Sequence, residues 1–142
     1  VFADLRHLNP AVRGEDAGHI LFGHDDGRRA LFDGNRHLDH AADNHRLTLG
    51  ECLVEGSKGT LTLSGDGCVR HRAFRKTGQS ILLEPQQWPG FGGDCVFALQ
   101  SHVIAALRED SALENRACDY LRILELEQAI YHSAETGAKV PV

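Results

Sequence analysis

The densest set of groups able to do chemistry lies between residues 35 and 45, in the run Asn-Arg-His-Leu-Asp-His-Ala-Ala-Asp-Asn-His. His37, Asp39, His40, Asp43 and His45 bring together imidazoles and carboxylates, the side chains that bind zinc or iron. Their order, H-x-x-H-x-x-x-x-H, places no i, i+4 pair on one helical face followed by a base, and the segment is punctuated as a loop. It reads as a solvated polar connection with no metal site. Nucleophiles fare no better. Ser57, Ser64, Ser80, Ser101, Ser111 and Ser133 lie in expected turns or helices, and no G-x-S-x-G elbow presents any of them. Cys52 and Cys68 fall in strand-like runs, where a buried and inert thiol is expected. Glu125 and Glu127 are two apart on a helical pattern and do not face each other as acid and base. His102 stands among apolar neighbours on a helix and reads as a partly buried, satisfied imidazole. No catalytic residue is read in this chain.

The glycine-rich run Val54 to Gly67, V-E-G-S-K-G-T-L-T-L-S-G-D-G, invites a phosphate-binding reading. A P-loop needs G-x-x-x-x-G-K-[ST] between a strand and a helix, so that backbone N–H groups converge on the anion. Here Lys58 precedes Gly59, and Thr60 to Leu63 alternates as a strand does. Gly65-Asp66-Gly67 starts like a dinucleotide fingerprint but has Arg70 in place of the third glycine and leads into another extended run. Both stretches therefore read as tight hairpin connections, with glycine supplying positive φ.

These groups must be positioned by the surrounding elements. Val1 to Arg6 alternates as a strand, and His19–Phe22 and Arg29–Phe32 flank His24-Asp25-Asp26-Gly27, a hairpin signal. Leu47–Val54, Thr60–Ser64, Cys68–Phe74 and Ser80–Glu84 follow, so the first 84 residues read as an antiparallel meander. The Pro/Gly loop from Pro85 to Gly93 breaks the period. After it Asp94 can cap a helix with Val96, Leu99, Val103 and Leu107 on one face and Arg108 in its last turn. A second helix starts at a Ser111–Glu114 capping box or at Asn115, carries Tyr120, Ile123, Leu124, Ile130, Tyr131 and Ala134, and ends at Gly137. Lys139–Val142 reads as an edge strand. Strands followed by helices give an α+β fold, a predominantly antiparallel sheet with two C-terminal helices on one face. The other face, with Phe2, Leu21 and Leu53, is too apolar to remain wholly in water and is expected to meet a partner.

Composition narrows the partners. The net charge of −5 argues against nucleic acid, because phosphate binding is driven by clustered Lys and Arg. The basic run Arg70, His71, Arg72, Arg75 and Lys76, with Phe74, suits a solvated strand face. No apolar stretch is long enough to span a bilayer. Four cysteines without a C-x-x-C spacing or a secretory leader suit free, mostly buried thiols in a reducing cytoplasm. The chain has no methionine and opens at Val1, so it is expected to be a piece of something longer.

The final stretch, E-N-R-A-C-D-Y-L-R-I-L-E-L-E-Q-A-I-Y-H-S-A-E-T-G-A-K-V-P-V, resembles the C-terminal segment of the Gfo/Idh/MocA family of NAD(P)-dependent oxidoreductases. L-V-E-G-S-K-G-T-L-T-L-S-G-D-G-C-V is similar to that family's E-G-x-x-G-x-L-x-L hairpin, G-E-D-A-G-H-I-L-F-G-H-D-D-G-R-R-A-L-F-D-G-N-R to its opening hairpin, and G-G-D-C-V-F-A-L-Q-S-H-V-I-A-A-L to its penultimate helix. The resemblance implies that residues 1–142 are the substrate-binding and oligomerisation domain of a two-domain dehydrogenase of sugars, polyols or related carbonyl compounds. NAD or NADP would be held by a Rossmann domain, and the family's E-K-P and G-G-x-x-x-D-x-x-x-H segments, whose place is upstream of Val1, are not found here. The chain by itself is then expected to be inactive, to bind neither cofactor nor metal, and to form a dimer or tetramer through its open sheet face. Asn35, Arg36 and His37, just after the third strand, and Trp88, whose ring could stack on a sugar, are the expected substrate contacts. The competing reading is a free-standing ligand-binding or scaffolding module without cofactor chemistry.

Overall fold

A computed structural model describes residues 1–37, 41–44, 50–114 and 116–142. Seven strands precede two helices: β1 (Phe2–Arg6), β2 (Ala17–Gly23), β3 (Arg29–Asn35), β4 (Cys52–Gly56), β5 (Gly59–Leu63), β6 (Val69–Ala73), β7 (Ser80–Leu83), α1 (Cys95–Glu109) and α2 (Ala117–Thr136). The α+β class read from the sequence stands. The meander, however, is divided into two antiparallel sheets, ordered β1-β2-β3 and β4-β5-β6-β7. Correspondingly the chain forms two compact units, Val1–Asp39 with Glu114–Val142, and His40–Leu113.

The turns follow local chemistry. His24 and Arg28 close the β2–β3 hairpin, with Gly27 at φ 85° donating its N–H to the His24 carbonyl. Gly56 and Gly59 pair directly across Ser57-Lys58. In the next turn Asp66 Oδ1 accepts the Cys68 N–H at 3.0 Å, and Gly67 adopts φ 84°. All three connect antiparallel strands, so neither glycine-rich stretch opens a helix that could receive a phosphate.

In the first unit the register is informative. Ala3, Ile20 and Phe32 stand opposite one another, and so do Leu5, Gly18 and Gly34. Because alternate residues share a face, these two rungs lie on one side, and Phe2, Leu21 and Leu31 lie on the other. The helix α2 packs on β1. Its wholly buried Ser133 accepts the Ala3 N–H at 3.0 Å and donates to the Ala138 carbonyl at 2.6 Å. One hydroxyl thus satisfies two backbone groups. Val140 and Val1 exchange backbone hydrogen bonds at 2.9 and 2.6 Å, a tie in place of the edge strand expected at Lys139–Val142.

In the second unit β4 to β7 form a continuous ladder with a bulge between Val69 and Arg70. Val54, Leu61 and His71 form one rung, and Cys52, Leu63, Val69 and Leu83 the next on the same face. Val54, Leu61 and Leu83 are exposed. So are Phe97, Leu99, Ile104 and Leu107 of α1, although Ala106 is buried.

Several expectations are corrected. Asp94 does occupy the α1 N-cap position, but its backbone is left-handed (φ 65°) and its side chain makes no capping bond. The Ser111 capping box does not form. Instead α2 begins at Ala117 with Arg116 at the cap, and Arg116 grips Asp119 one turn on with two bonds of 3.1 Å. The alternative start, Asn115, lies outside the described residues. Arg108 and Gly137 hold the expected places at the helix ends. Of the four free cysteines only Cys68 is buried, because Cys52, Cys95 and Cys118 fall on exposed positions. Residues 45–49, the start of the fourth expected strand, lie outside the described residues.

Candidate functional site

A cavity of about 420 Å³ lies within the first unit. Its cause is the rung Leu5·Gly18·Gly34, where two of the three residues have no side chain to fill the space above the sheet. Gly18 is needed on backbone grounds as well. At φ 156° it lies against β1 so closely that a Cβ would stand 2.5 Å from the Asp4 carbonyl oxygen. Gly34 has room on the backbone side, but the ring of Phe32 leans over it, and a Cβ would come within 2.8 Å of that ring. Glycine inside a strand weakens the strand and marks a close approach by backbone or ligand.

The opposite wall is α2. Glu127, Ile130 and Tyr131 are three and four residues apart and so share one helical face. Leu5, Ile20, Phe32 and Ile130 supply an apolar lining, while Glu15, Asp16, Asn35, Arg36, Glu127 and Tyr131 carry the polar groups. Tyr131 donates its hydroxyl to Glu15 Oε1 at 2.6 Å, joining α2 to the turn before β2. That bond holds the Glu15 carboxyl below the usual carboxylate range and raises the Tyr131 phenol.

Asp16 is the fixed point of this corner. Its side chain is buried, and its two oxygens accept the Leu8 and Asn9 N–H groups, each at 2.7 Å. Its Oδ2 also receives Nε2–H of His37 at 3.1 Å. A carboxylate is acceptor-only, so this contact puts the imidazole proton on Nε2. The Leu8 amide first, then Asn9 and His37, hold the Asp16 carboxyl at about 2, against the opposing effect of burial. Its backbone is engaged too, donating to the Arg6 carbonyl and accepting from Arg36 N–H. One buried carboxylate therefore fixes both the β1–β2 turn and the chain leaving β3.

Of the four expected substrate contacts, the fold brings three together. Asn35 and Arg36 line the cavity, and His37 is beside them, held by Asp16 and by its own N–H to Asn35 Oδ1 at 2.9 Å. Trp88 belongs to the second unit, half-exposed before α1. Of the histidine cluster, Asp39, His40 and His45 lie outside the described residues, and among the described residues no group of three metal-ligating side chains converges. Glu15, Asp16, Glu127 and Tyr131 escaped the sequence reading. The available signal was a glycine at the edge of each strand-like run, Gly18 just before His19–Phe22 and Gly34 just after Arg29–Phe32.

An antiparallel sheet packed by a long C-terminal helix, with a glycine-floored cavity between them, makes up the first unit of this α+β fold. No protein-family model matches the chain. It is 30% identical over 143 residues to D-apiose dehydrogenase of Paraburkholderia graminis, an alignment covering 97% of this chain and 38% of that protein. It is 25% identical to D-apiose dehydrogenase of Rhizobium rhizogenes, covering 99% of this chain and 41% of that one. Among solved structures, an oxidoreductase from Agrobacterium radiobacter in complex with NAD+, L-tartaric acid and magnesium has the same fold, with a TM-score of 0.78 at 24% identity over 98% of this chain and 42% of its own. The chain spans about two-fifths of the length of these relatives. It corresponds to the C-terminal part of the dehydrogenases, as the resemblance to the Gfo/Idh/MocA oxidoreductases implies.

Proposed function

We propose that residues 1–142 are the substrate-binding and oligomerisation domain of an NAD(P)-dependent oxidoreductase that transfers hydride to or from a sugar, polyol or related carbonyl compound. The observation that carries this reading is the cavity, lined by Asn35 and Arg36, in a chain matched along nearly its whole length by sugar dehydrogenases. Arg36 and Asn35 offer donors to substrate oxygens, and His37 keeps a set orientation through Asp16. NAD or NADP, when bound, supplies the hydride acceptor or donor. On this reading a Rossmann domain of the intact polypeptide holds it, in keeping with a chain that spans about two-fifths of its dehydrogenase relatives.

The exposed apolar rungs of β4 to β7, with Val54, Leu61 and Leu83, are the surface we assign to a dimer or tetramer contact. Catalysis then belongs to the intact polypeptide. The test is nicotinamide reduction by that polypeptide with a panel of neutral sugars and polyols. Turnover by the intact polypeptide, absent from the 142 residues alone and weakened through KM by Arg36→Ala, is the expected result. A polypeptide that binds sugars but reduces neither NAD nor NADP with any of them would overturn the oxidoreductase reading in favour of a binding module.

A further inference from the structure

The helix α2 is unevenly used. From Leu126 onward it meets its own unit: Leu126, Ala129, Ile130 and Ala134 are half-buried, Ser133 is wholly buried, and Glu127, Ile130 and Tyr131 wall the cavity. Before Leu126 every residue of the helix is exposed. Four of them are large and apolar, with Tyr120 at 54%, Leu121 at 61%, Ile123 at 57% and Leu124 at 51% exposure. Tyr120, Leu124, Glu127 and Tyr131 follow one another at spacings of four, three and four residues. The free half therefore carries forward the stripe that walls the cavity. At 1.5 Å per residue, Ala117 stands about 15 Å along the helix axis from Glu127. Contiguous apolar surface of this kind marks a contact in the working protein.

We propose that the free half of α2 is the seat of the remainder of the intact polypeptide, docked so that its nicotinamide site faces the cavity. This rests on the proposed function and adds the surface that joins the two parts. Hydride transfer needs its two carbons within about 3–3.5 Å of each other, so the part that holds the nicotinamide must come to the cavity and stay there. The stripe on α2 offers it an apolar hold beside one cavity wall. The chain spans about two-fifths of its relatives, so the greater part of a polypeptide of their length is at hand to cover that stripe. The surface assigned to a second copy is a different one, the rungs of β4 to β7 in the second unit.

The test is hydroxyl-radical footprinting of the intact polypeptide over a dilution series, reading the oxidation of Tyr120, Leu121, Ile123 and Leu124. Oxidation is expected to be severalfold slower than their exposure in this chain allows, and equally slow at every dilution. Kinetics supply the second reading. Leu124→Asp, at a position that its own unit leaves exposed, should lower kcat by about tenfold or more with KM for the sugar or polyol unchanged, because small misplacements of reacting groups are costly. Leu124→Met should restore the rate. Fast oxidation of Tyr120 and Leu124, or an unchanged kcat in Leu124→Asp, would overturn the docking and leave the oxidoreductase reading intact. Protection that fades on dilution would overturn it in favour of a second copy. Dilution-independent protection in a polypeptide that turns over no nicotinamide would uphold the seat on α2 and remove the oxidoreductase.

Discussion

The two units solve the same problem differently. Both are built on antiparallel strands with tight turns, yet only the first has a helix packed on its sheet, fastened by Ser133 and Tyr131. Among the described residues α1 has no comparable packing on β4 to β7, and the apolar rungs of that sheet remain in solvent. The first unit buries polar groups, Asp16 and Ser133, and saturates them with hydrogen bonds. The second exposes Leu53 at 61% and Leu82 at 60%. A buried and satisfied polar network fixes one geometry, as a ligand site needs, and an exposed apolar sheet is suited to a partner. On the proposed reading the first unit positions the ligand and the second is the one suited to association.

The sharpest way to break this contrast is to open the first unit's network. Ser133→Ala leaves the Ala3 N–H and the Ala138 carbonyl without a buried partner, which costs about 3 kcal/mol at 1–3 kcal/mol for each orphaned group. Urea unfolding followed by hydrogen exchange should report that loss in β1 and α2. An equal loss confined to β4–β7 would contradict the division.

Next come two glycines that play matching parts. Gly18 in the first sheet and Gly59 in the second both lie against a neighbouring strand's carbonyl, of Asp4 and Arg72 respectively, at φ 156° and 147°. Alanine at either position should destabilise by about 2 kcal/mol or more, since the backbone cannot yield as a side chain can. The effect of each should be read in its own sheet by exchange protection.

Acid provides a finer probe. The carboxyl of Asp16 lies below its ordinary 3.8, at about 2, so its contribution to stability is fully present above pH 4. That contribution is lost as pH falls through about 2, when protonation weakens its acceptance from Leu8, Asn9 and His37. Urea midpoints taken between pH 5 and 2 should fall more steeply in the wild type than in Asp16→Asn. Parallel curves would show that the carboxylate does not hold this corner. The smallest effect is expected at the β2–β3 turn, where Asp26 pairs with Arg28 at 2.6 Å in full view of water. Asp26→Ala should change stability by at most about 1 kcal/mol, checked by the thermal midpoint.

How much of this was legible follows from the range over which each feature is encoded. The hairpins at Asp25–Gly27, Ser57–Lys58 and Gly65–Gly67 were legible because a turn is set by its own residues. Helix bodies were legible through their period, and the end at Gly137 through its left-handed φ of 65°. The division into two sheets was not, because nothing local says whether β3 pairs with β4. Of the two starts that the sequence offers for α2, the Ser111–Glu114 capping box is not the one used, and an Arg116–Asp119 pair stands at the observed start. The candidate site was half legible. Asn35, Arg36 and His37 followed from their place after a strand, whereas Ser133 finds Ala3 from 130 residues away and Glu15 finds Tyr131 from 116. Gly18 and Gly34 become a cavity floor only once the register puts them opposite each other.

Hydrogen exchange of the intact polypeptide, with and without xylitol at a saturating concentration, tests the central claim most directly. The account expects slowed exchange at residues 15–18, 34–36 and 127–131, the walls of the cavity, and unchanged exchange across β4 to β7. Protection confined to residues 52–83, or none in the cavity walls while the sugar is turned over, would contradict it.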